Sequence, residues 1–312
     1  MMTDSHSPIA VLLMAYGGPD SLEDIEPYLL DIRGGRPTSP ELVAEIKERY
    51  ALIGGRSPIL DLTRQQAAAL EAQLNRDGGR RFRTYVGMRH WQPRIKEAAA
   101  QIAQDGIRRV IALAMAPHNS KLSTGAYFNR LDEAIREMGA QIDVAAIRSW
   151  HDQPGLIDAL AEKATAALAC FPSGPSPAPK VIFTAHSLPA RILKEGDPYE
   201  DQLHETACLL AGQLALPANR WRFCYQSAGR SQETWLGPPV EDVLLELIQA
   251  GEKQLLVVPI GFVCDHVETL YDLDIAARKL VEAHGAHLER SESLNASPTF
   301  IAALAELVER RA

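Results

Sequence analysis

The chain has 312 residues, 46% of them hydrophobic and 23% charged, with a formal net charge of -8. At roughly 150 residues per domain this length points to two domains or one large one, and the composition excludes a disordered chain. The acidic balance argues against nucleic-acid binding, which needs a basic face to neutralise phosphates. No apolar run reaches the roughly 18 residues that cross a bilayer, so an integral membrane protein is not expected. The amino terminus has no basic start and no apolar core of a secretion signal, and it leads straight into a strand-like run. Four cysteines, Cys170, Cys208, Cys224 and Cys264, are widely spaced without a C-x-x-C pair. Disulfide and zinc-ribbon readings both fail on that spacing. A cytoplasmic, thiol-reduced protein is expected.

Taken in chain order, apolar strand-like runs alternate with amphipathic helical stretches. Ile9 to Met14 is a continuous apolar run ending at Gly17-Gly18-Pro19, as in a buried parallel strand followed by a turn. Helical spacing follows over 40–50 and 63–74, a strand over Thr84 to Met88, and a helix over 93–104 that stops near Gly106. Val110 to Met115 reads as a strand ended by Pro117, with helices over 126–139 and 156–168. Phe171 to Pro179 then carries four prolines in nine residues and can be neither helix nor inner strand. This is the expected boundary between an amino-terminal domain, 1–172, and a carboxy-terminal domain, 173–312.

Beyond it the pattern begins again. Val181 to Pro189 parallels Val11 to Pro19, with alanine, a ring-bearing residue (His186 or Tyr16) and proline at matching offsets. Leu255 to Pro259 echoes Val110 to Pro117. The expected fold class is therefore α/β: two similar Rossmann-like domains with parallel sheets flanked by helices, and an active cleft between them. A last helix, about 298–310, is free to pack back on the first domain.

Nucleotide-binding glycine loops, a nucleophile elbow and a zincin helix are all absent. His186 ends a strand and is placed to accept a proton near neutral pH or to ligate a metal, although a lone loop histidine is more often simply hydrogen-bonded. If the segment 265–274 is helical, Glu268 and Asp272 stack on one face four residues apart, with Cys264 extending the line and His266 pointing elsewhere. Such acids either complement a helix dipole or form a ladder for a divalent cation or for protons. Arg33, Arg36, Arg49, Ser57 and Tyr127 combine guanidinium and hydroxyl groups of the kind that several ligand carboxylates need. Solvated surface charge is the bland alternative for the arginines.

These segments together resemble the ferrochelatases, most closely the soluble bacterial coproporphyrin III branch. The matching pieces run nearly end to end: Leu12 to Pro19, Glu48 to Gly55 with Ser57-Pro58, Ala116-Pro-His118 with Ser123 and Tyr127, and Thr184 to Pro189. Gly196 to Tyr199, Tyr225 to Gly229, Trp235 to Pro238, Pro259 to Val263, Asp265-His266 and Leu270 to Asp272 continue the series. The resemblance implies insertion of Fe2+ into a free-base porphyrin, as a lyase of haem biosynthesis, with iron as substrate and no organic cofactor. It assigns catalysis and metal holding to His186 and Glu268, with Asp272 one turn further along. Tyr16 would face the metal of bound product, and Arg33, Arg49, Tyr50, Ser57 and Tyr127 would hold the macrocycle and its propionates.

The chain departs from its relatives in places. A further glutamate often found one turn beyond the acidic pair is Ala276 here, and a second arginine next to Arg33 is absent. No cysteine follows Cys264, so no iron–sulfur cluster is expected. The apolar lip and tail of membrane-associated relatives are missing too, which favours a soluble monomer in transient contact with other haem-biosynthesis enzymes. Rivals are a protoporphyrin IX ferrochelatase, a cobalt or nickel tetrapyrrole chelatase, and a non-catalytic haem carrier.

Overall fold

The computed structural model describes residues 7–78, 81–172 and 178–312. The chain forms two compact units, one of Met1–Trp150 with Asn295–Ala312 and the other of His151–Leu294.

In the first unit β1 (Ile9–Ala15) leads to helices α1 (Ile25–Ile32), α2 (Pro40–Leu52) and α3 (Ile59–Leu74). Then come β2 (Phe82–Met88), α4 (Ile95–Gln104), β3 (Arg109–Ala114), α5 (Thr124–Met138) and β4 (Asp143–Ile147). The strands form one parallel sheet in the order β2-β1-β3-β4. All seven residues of β1 are buried. That is why its sequence is an unbroken apolar run rather than an alternating one: helices cover both faces of a parallel sheet. Local chemistry starts and stops the helices. Pro40 opens α2 behind a Ser39 cap that accepts from the Leu42 amide, and Gly139 ends α5 in the left-handed region.

In the second unit α6 (Pro154–Leu168) precedes β5 (Lys180–His186), the short α7 (Arg191–Lys194), α8 (Tyr199–Gln213) and β6 (Trp221–Gln226). These are followed by α9 (Val240–Gln249), β7 (Gln254–Pro259), a single helical turn α10 (Val267–Leu270), a π-helix over Asp272–Ala277, α11 (Arg278–Ala283) and β8 (His287–Arg290). The sheet is again parallel, in the order β6-β5-β7-β8. Each unit thus winds its four strands in the same order. The repetition heard in the sequence at Val11 and Val181 corresponds to the two central first strands, β1 and β5. After β8 the chain returns to the first unit as α12 (Pro298–Glu309), which packs on α3. There the ring of Phe300 stacks on Trp150 at 6.0 Å.

The division differs from the one expected from the proline-rich stretch. Helix α6 packs against α8 and β7, so it belongs to the second unit although it lies before Phe171. Of the expected linker, residues 173–177 lie outside the described residues.

One close approach ties the second sheet to the residue that ends β5. A Cβ added at Gly261, just past β7, would lie 2.7 Å from Ala185 Cβ and 3.0 Å from its Cα. The turn after β7 therefore passes directly over the residue before His186, and only glycine leaves room. Gly261→Ala is expected to destabilise the protein by about 1–3 kcal/mol through overpacking, read as a lowered urea midpoint. An unchanged midpoint would show that the turn can move aside at no cost.

Candidate active site

In a parallel sheet the carboxyl ends of the strands carry the ligand-facing residues. His186 is the last residue of β5 and pairs in register with Gln226, the last of β6. The phenol of Tyr199 donates to the His186 carbonyl at 2.9 Å, fixing the strand end against the start of α8. The imidazole Nδ1 of His186 lies 2.9 Å from Glu268 Oε2, and both side chains remain partly open to solvent.

Glu268 is held from its backbone side by a relay of amides. Thr184 Oγ1 donates to Gln226 Oε1 at 2.7 Å, and Gln226 Nε2 donates to the Glu268 carbonyl at 2.7 Å. Gln226, 2% exposed, is the peg between the two catalytic candidates. The motif Tyr225 to Gly229 contains it, but a neutral amide announces no chemistry in a sequence. Its neighbour Ser227 sits at φ 57°, a left-handed conformation that costs a non-glycine residue on the order of 1 kcal/mol. From there its hydroxyl donates to Asp272 Oδ2 at 2.5 Å.

The segment bearing the acids differs from the expected regular helix. After α10 the ladder widens: the Tyr271 carbonyl accepts from Ile275 at 3.2 Å and from Ala276 at 2.9 Å. Cys264 lies before α10, buried, and does not extend a line of ligands; burial pushes its thiol up to about 12. His266 does not point elsewhere. It is the residue that starts α10, its Nδ1 is 3.1 Å from the Cys264 carbonyl, and its Nε2 lies 3.7 Å from Glu268 Oε2. Glu268 therefore stands between two imidazoles.

Electrostatics follow from that placement. Burial alone would depress the His186 imidazolium, but the charge and hydrogen bond of Glu268, with Asp272 beyond, more than reverse this and raise it. For Glu268, burial pushes the carboxyl up, yet His186 and then His266 hold it well below the usual carboxylate range. One carboxylate flanked by imidazole nitrogens is a donor set suited to Fe2+, Co2+, Ni2+ or Zn2+.

The first unit presents the other predicted residues. Tyr16 follows β1 and is 37% exposed, with its ring 4.7 Å from that of His90. His90 Nδ1 lies 2.8 Å from Asp31 Oδ2, and Arg94 Nη1 donates to Asp31 Oδ1 at 2.8 Å. Burial pushes the His90 imidazole down to about 4, against the Asp31 bond, so Tyr16 rests on a neutral ring. Arg33 caps the carboxyl end of α1, where it and Arg36 are exposed. Arg49 is paired with Glu45 at 2.7 Å. Tyr50 and Tyr127 are buried, Tyr127 in the core beside β3. The Ser57 hydroxyl accepts from the Ile59 amide, and a Cβ at Gly18 would strike Ser57 at 2.4 Å. A further grouping, His151, Asp152 and Glu205, brings three donor atoms within 4.8 Å of one another. His151 Nε2 is 2.9 Å from Glu205 Oε2, a contact between a mostly buried ring and an exposed carboxylate.

A family model described as Ferrochelatase matches residues 8–312. The ferrochelatase of Deinococcus radiodurans is 46% identical over 308 residues, 99% of this chain and 97% of that protein. The coproporphyrin III ferrochelatase of Bacillus subtilis strain 168 is 38% identical over 309 residues, 98% of this chain and 99% of that protein. Among solved structures, SirB from Bacillus subtilis with Fe3+ superposes with a TM-score of 0.60 at 12% identity, covering 98% of this chain and 96% of that one. The last likeness concerns the fold alone.

Because the pair titrates together, its effects have opposite signs. His186 adds stability fully below its ordinary 6.5 and loses it as pH rises through its raised folded value; Glu268 adds it above 4.5 and loses it as pH falls. A cation at His186 must displace its proton. Zn2+ affinity is therefore expected to rise between about pH 6 and about pH 8, with proton release seen by calorimetry in two buffers of different ionisation enthalpy. A flat affinity without proton release would contradict this.

Proposed function

The chain belongs to the ferrochelatase family, lyases of haem biosynthesis whose metal substrate is Fe2+, and from that premise we propose that its porphyrin is coproporphyrin III. The observation that carries the mechanism is the contact of His186 Nδ1 with Glu268 Oε2 at 2.9 Å.

Metallation exchanges two pyrrole N–H protons for one Fe2+, so the site must hold a cation and remove two protons. His186 is the base that takes the two pyrrole protons one after the other, releasing the first toward Glu268 before accepting the second, since an imidazole near neutral pH can both accept and release a proton. Glu268 receives that charge. Its carboxylate stabilises the imidazolium at the moment it forms and passes the proton outward, with Asp272 further along the same segment, and the Ser227 hydroxyl that donates to it from beyond the end of β6, as the next polar groups. Before the exchange, His186 and Glu268 strip water from the incoming iron as an N,O donor pair.

Two features support the four-propionate substrate. Relatives at 38–40% identity over nearly the whole chain carry the name coproporphyrin III ferrochelatase. Tyr16 stands exposed at the end of β1 on a neutral His90, which suits a phenol facing the metal of the product. Arg33, Arg49, Tyr50, Ser57 and Tyr127 complete the reading as holders of macrocycle and propionates. The buried Tyr50 and Tyr127 would serve that end by shaping the walls rather than by projecting from them.

The test is an anaerobic assay with Fe2+ and either coproporphyrin III or protoporphyrin IX, followed in the Soret and Q bands. Metallation of coproporphyrin is expected to be faster by about tenfold or more in kcat/KM; a preference for protoporphyrin would overturn the substrate assignment. His186→Ala is expected to lower turnover by about 100-fold or more while porphyrin binding persists. Wild-type turnover in that variant would remove His186 from the chemistry.

A further inference from the structure

A charged cluster in the second unit lies outside the chemistry described so far. Arg290 ends β8 with its side chain only 10% exposed. Its guanidinium grips Asp274 with two parallel bonds, Nε to Oδ1 at 2.7 Å and Nη2 to Oδ2 at 2.8 Å. Nη1 lies 3.3 Å from Asp265 Oδ1 and donates to the Ser291 carbonyl at 3.0 Å. Asp265 also accepts from Ser293 Oγ at 2.7 Å. One residue earlier on the strand, Glu289 lies 3.6 Å from Arg278, which follows the π-helix.

The end of one edge strand thus holds the acid-bearing segment on both sides of Glu268. Asp265 lies three residues before it, and Asp274 lies inside the π-helix beyond it. A π turn carries one residue more than an α turn and has poorer backbone bonding, so it persists only where surrounding contacts over-determine it. Relaxation to an α-helix would rotate every later residue by about 100° and carry Asp274 away from Arg290. The fork of a guanidinium matches a carboxylate in two places at once and therefore fixes direction as well as distance. An exposed ion pair would add little, but here the guanidinium is nearly enclosed and its two carboxylates are only partly open to solvent.

We propose that Arg290 is a positioning residue for metal insertion, acting through Asp265 and Asp274 to hold Glu268 against His186 and Asp272 against Ser227. The inference rests on the assignment of His186 and Glu268 to metallation. A carboxylate displaced by about an ångström from a reacting centre can cost up to about 100-fold in rate. A salt bridge that merely stabilised the fold would instead lower the melting temperature and leave turnover per folded molecule unchanged.

The full-length Arg290→Lys and Asp274→Asn variants separate these cases, with Glu268→Gln as comparator. Each is checked for folding by circular dichroism and assayed well below its melting temperature for Fe2+ insertion into coproporphyrin III. Both clamp variants are expected to lose about tenfold or more in kcat, with the porphyrin KM held within about twofold. Combining them is expected to add little further loss, because they break the same clamp. Ser293→Ala, which removes the hydroxyl that donates to Asp265 and accepts from Arg290 Nη1 at 3.4 Å, is a milder variant that decides the matter should either of the others fail to fold; a fall in kcat without a change in porphyrin KM is expected. Wild-type kcat in folded clamp variants, with Glu268→Gln inactive, would overturn the positioning role alone. Full turnover in Glu268→Gln would overturn the assignment beneath it.

Discussion

The contact between His186 and Glu268 sets an imidazole nitrogen 2.9 Å from a carboxylate oxygen at the end of a buried strand, and much of the second unit can be understood as what holds them there. Each partner pays a desolvation penalty that the other offsets. The contact also leaves the pair partly open to solvent. In the proposed function, that opening is what lets a cation replace the proton.

The scaffold supplies rigidity from three directions. β5 fixes His186, since its neighbours β6 and β7 are parallel strands on either side. Gln226 bridges from Thr184 of β5 to the backbone of Glu268 through two hydrogen bonds of its side-chain amide, one accepted and one donated. Gly261 lets the turn after β7 run in contact with Ala185. The first unit repeats the strand order and places an aromatic residue, Tyr16, where the second places His186. One architecture thus carries an exposed phenol beside the His90 ring in one unit, and an imidazole against a carboxylate in the other.

Much of this was legible in the sequence for plain reasons. Nearly continuous apolar runs such as Ile9 to Met14 and Val181 to Ala185, short and bounded by turn residues, fit strands covered on both faces. The positions of His186 and Tyr16 at strand ends follow from the residues that stop those runs. What stayed hidden depends on contacts between distant parts of the chain. The π-helix has the same apolar spacing as an ordinary helix, so its extra residue could not be read without Arg290, which arrives sixteen residues after Asp274. His266 was placed on the wrong side because a regular helix turns it away from Glu268. The division of the chain escaped too, since four prolines mark a place where helix cannot continue, whether or not a unit ends there; α6 joins the second unit through its packing on α8.

X-ray absorption at the iron edge, on anaerobic protein with one equivalent of Fe2+ and no porphyrin, addresses the centre of this account most directly. Imidazole scattering that disappears in His186→Ala and a shell that loses an oxygen donor in Glu268→Gln are the expected results. An iron environment identical in wild type and both variants would place the metal elsewhere and remove the pair from its handling.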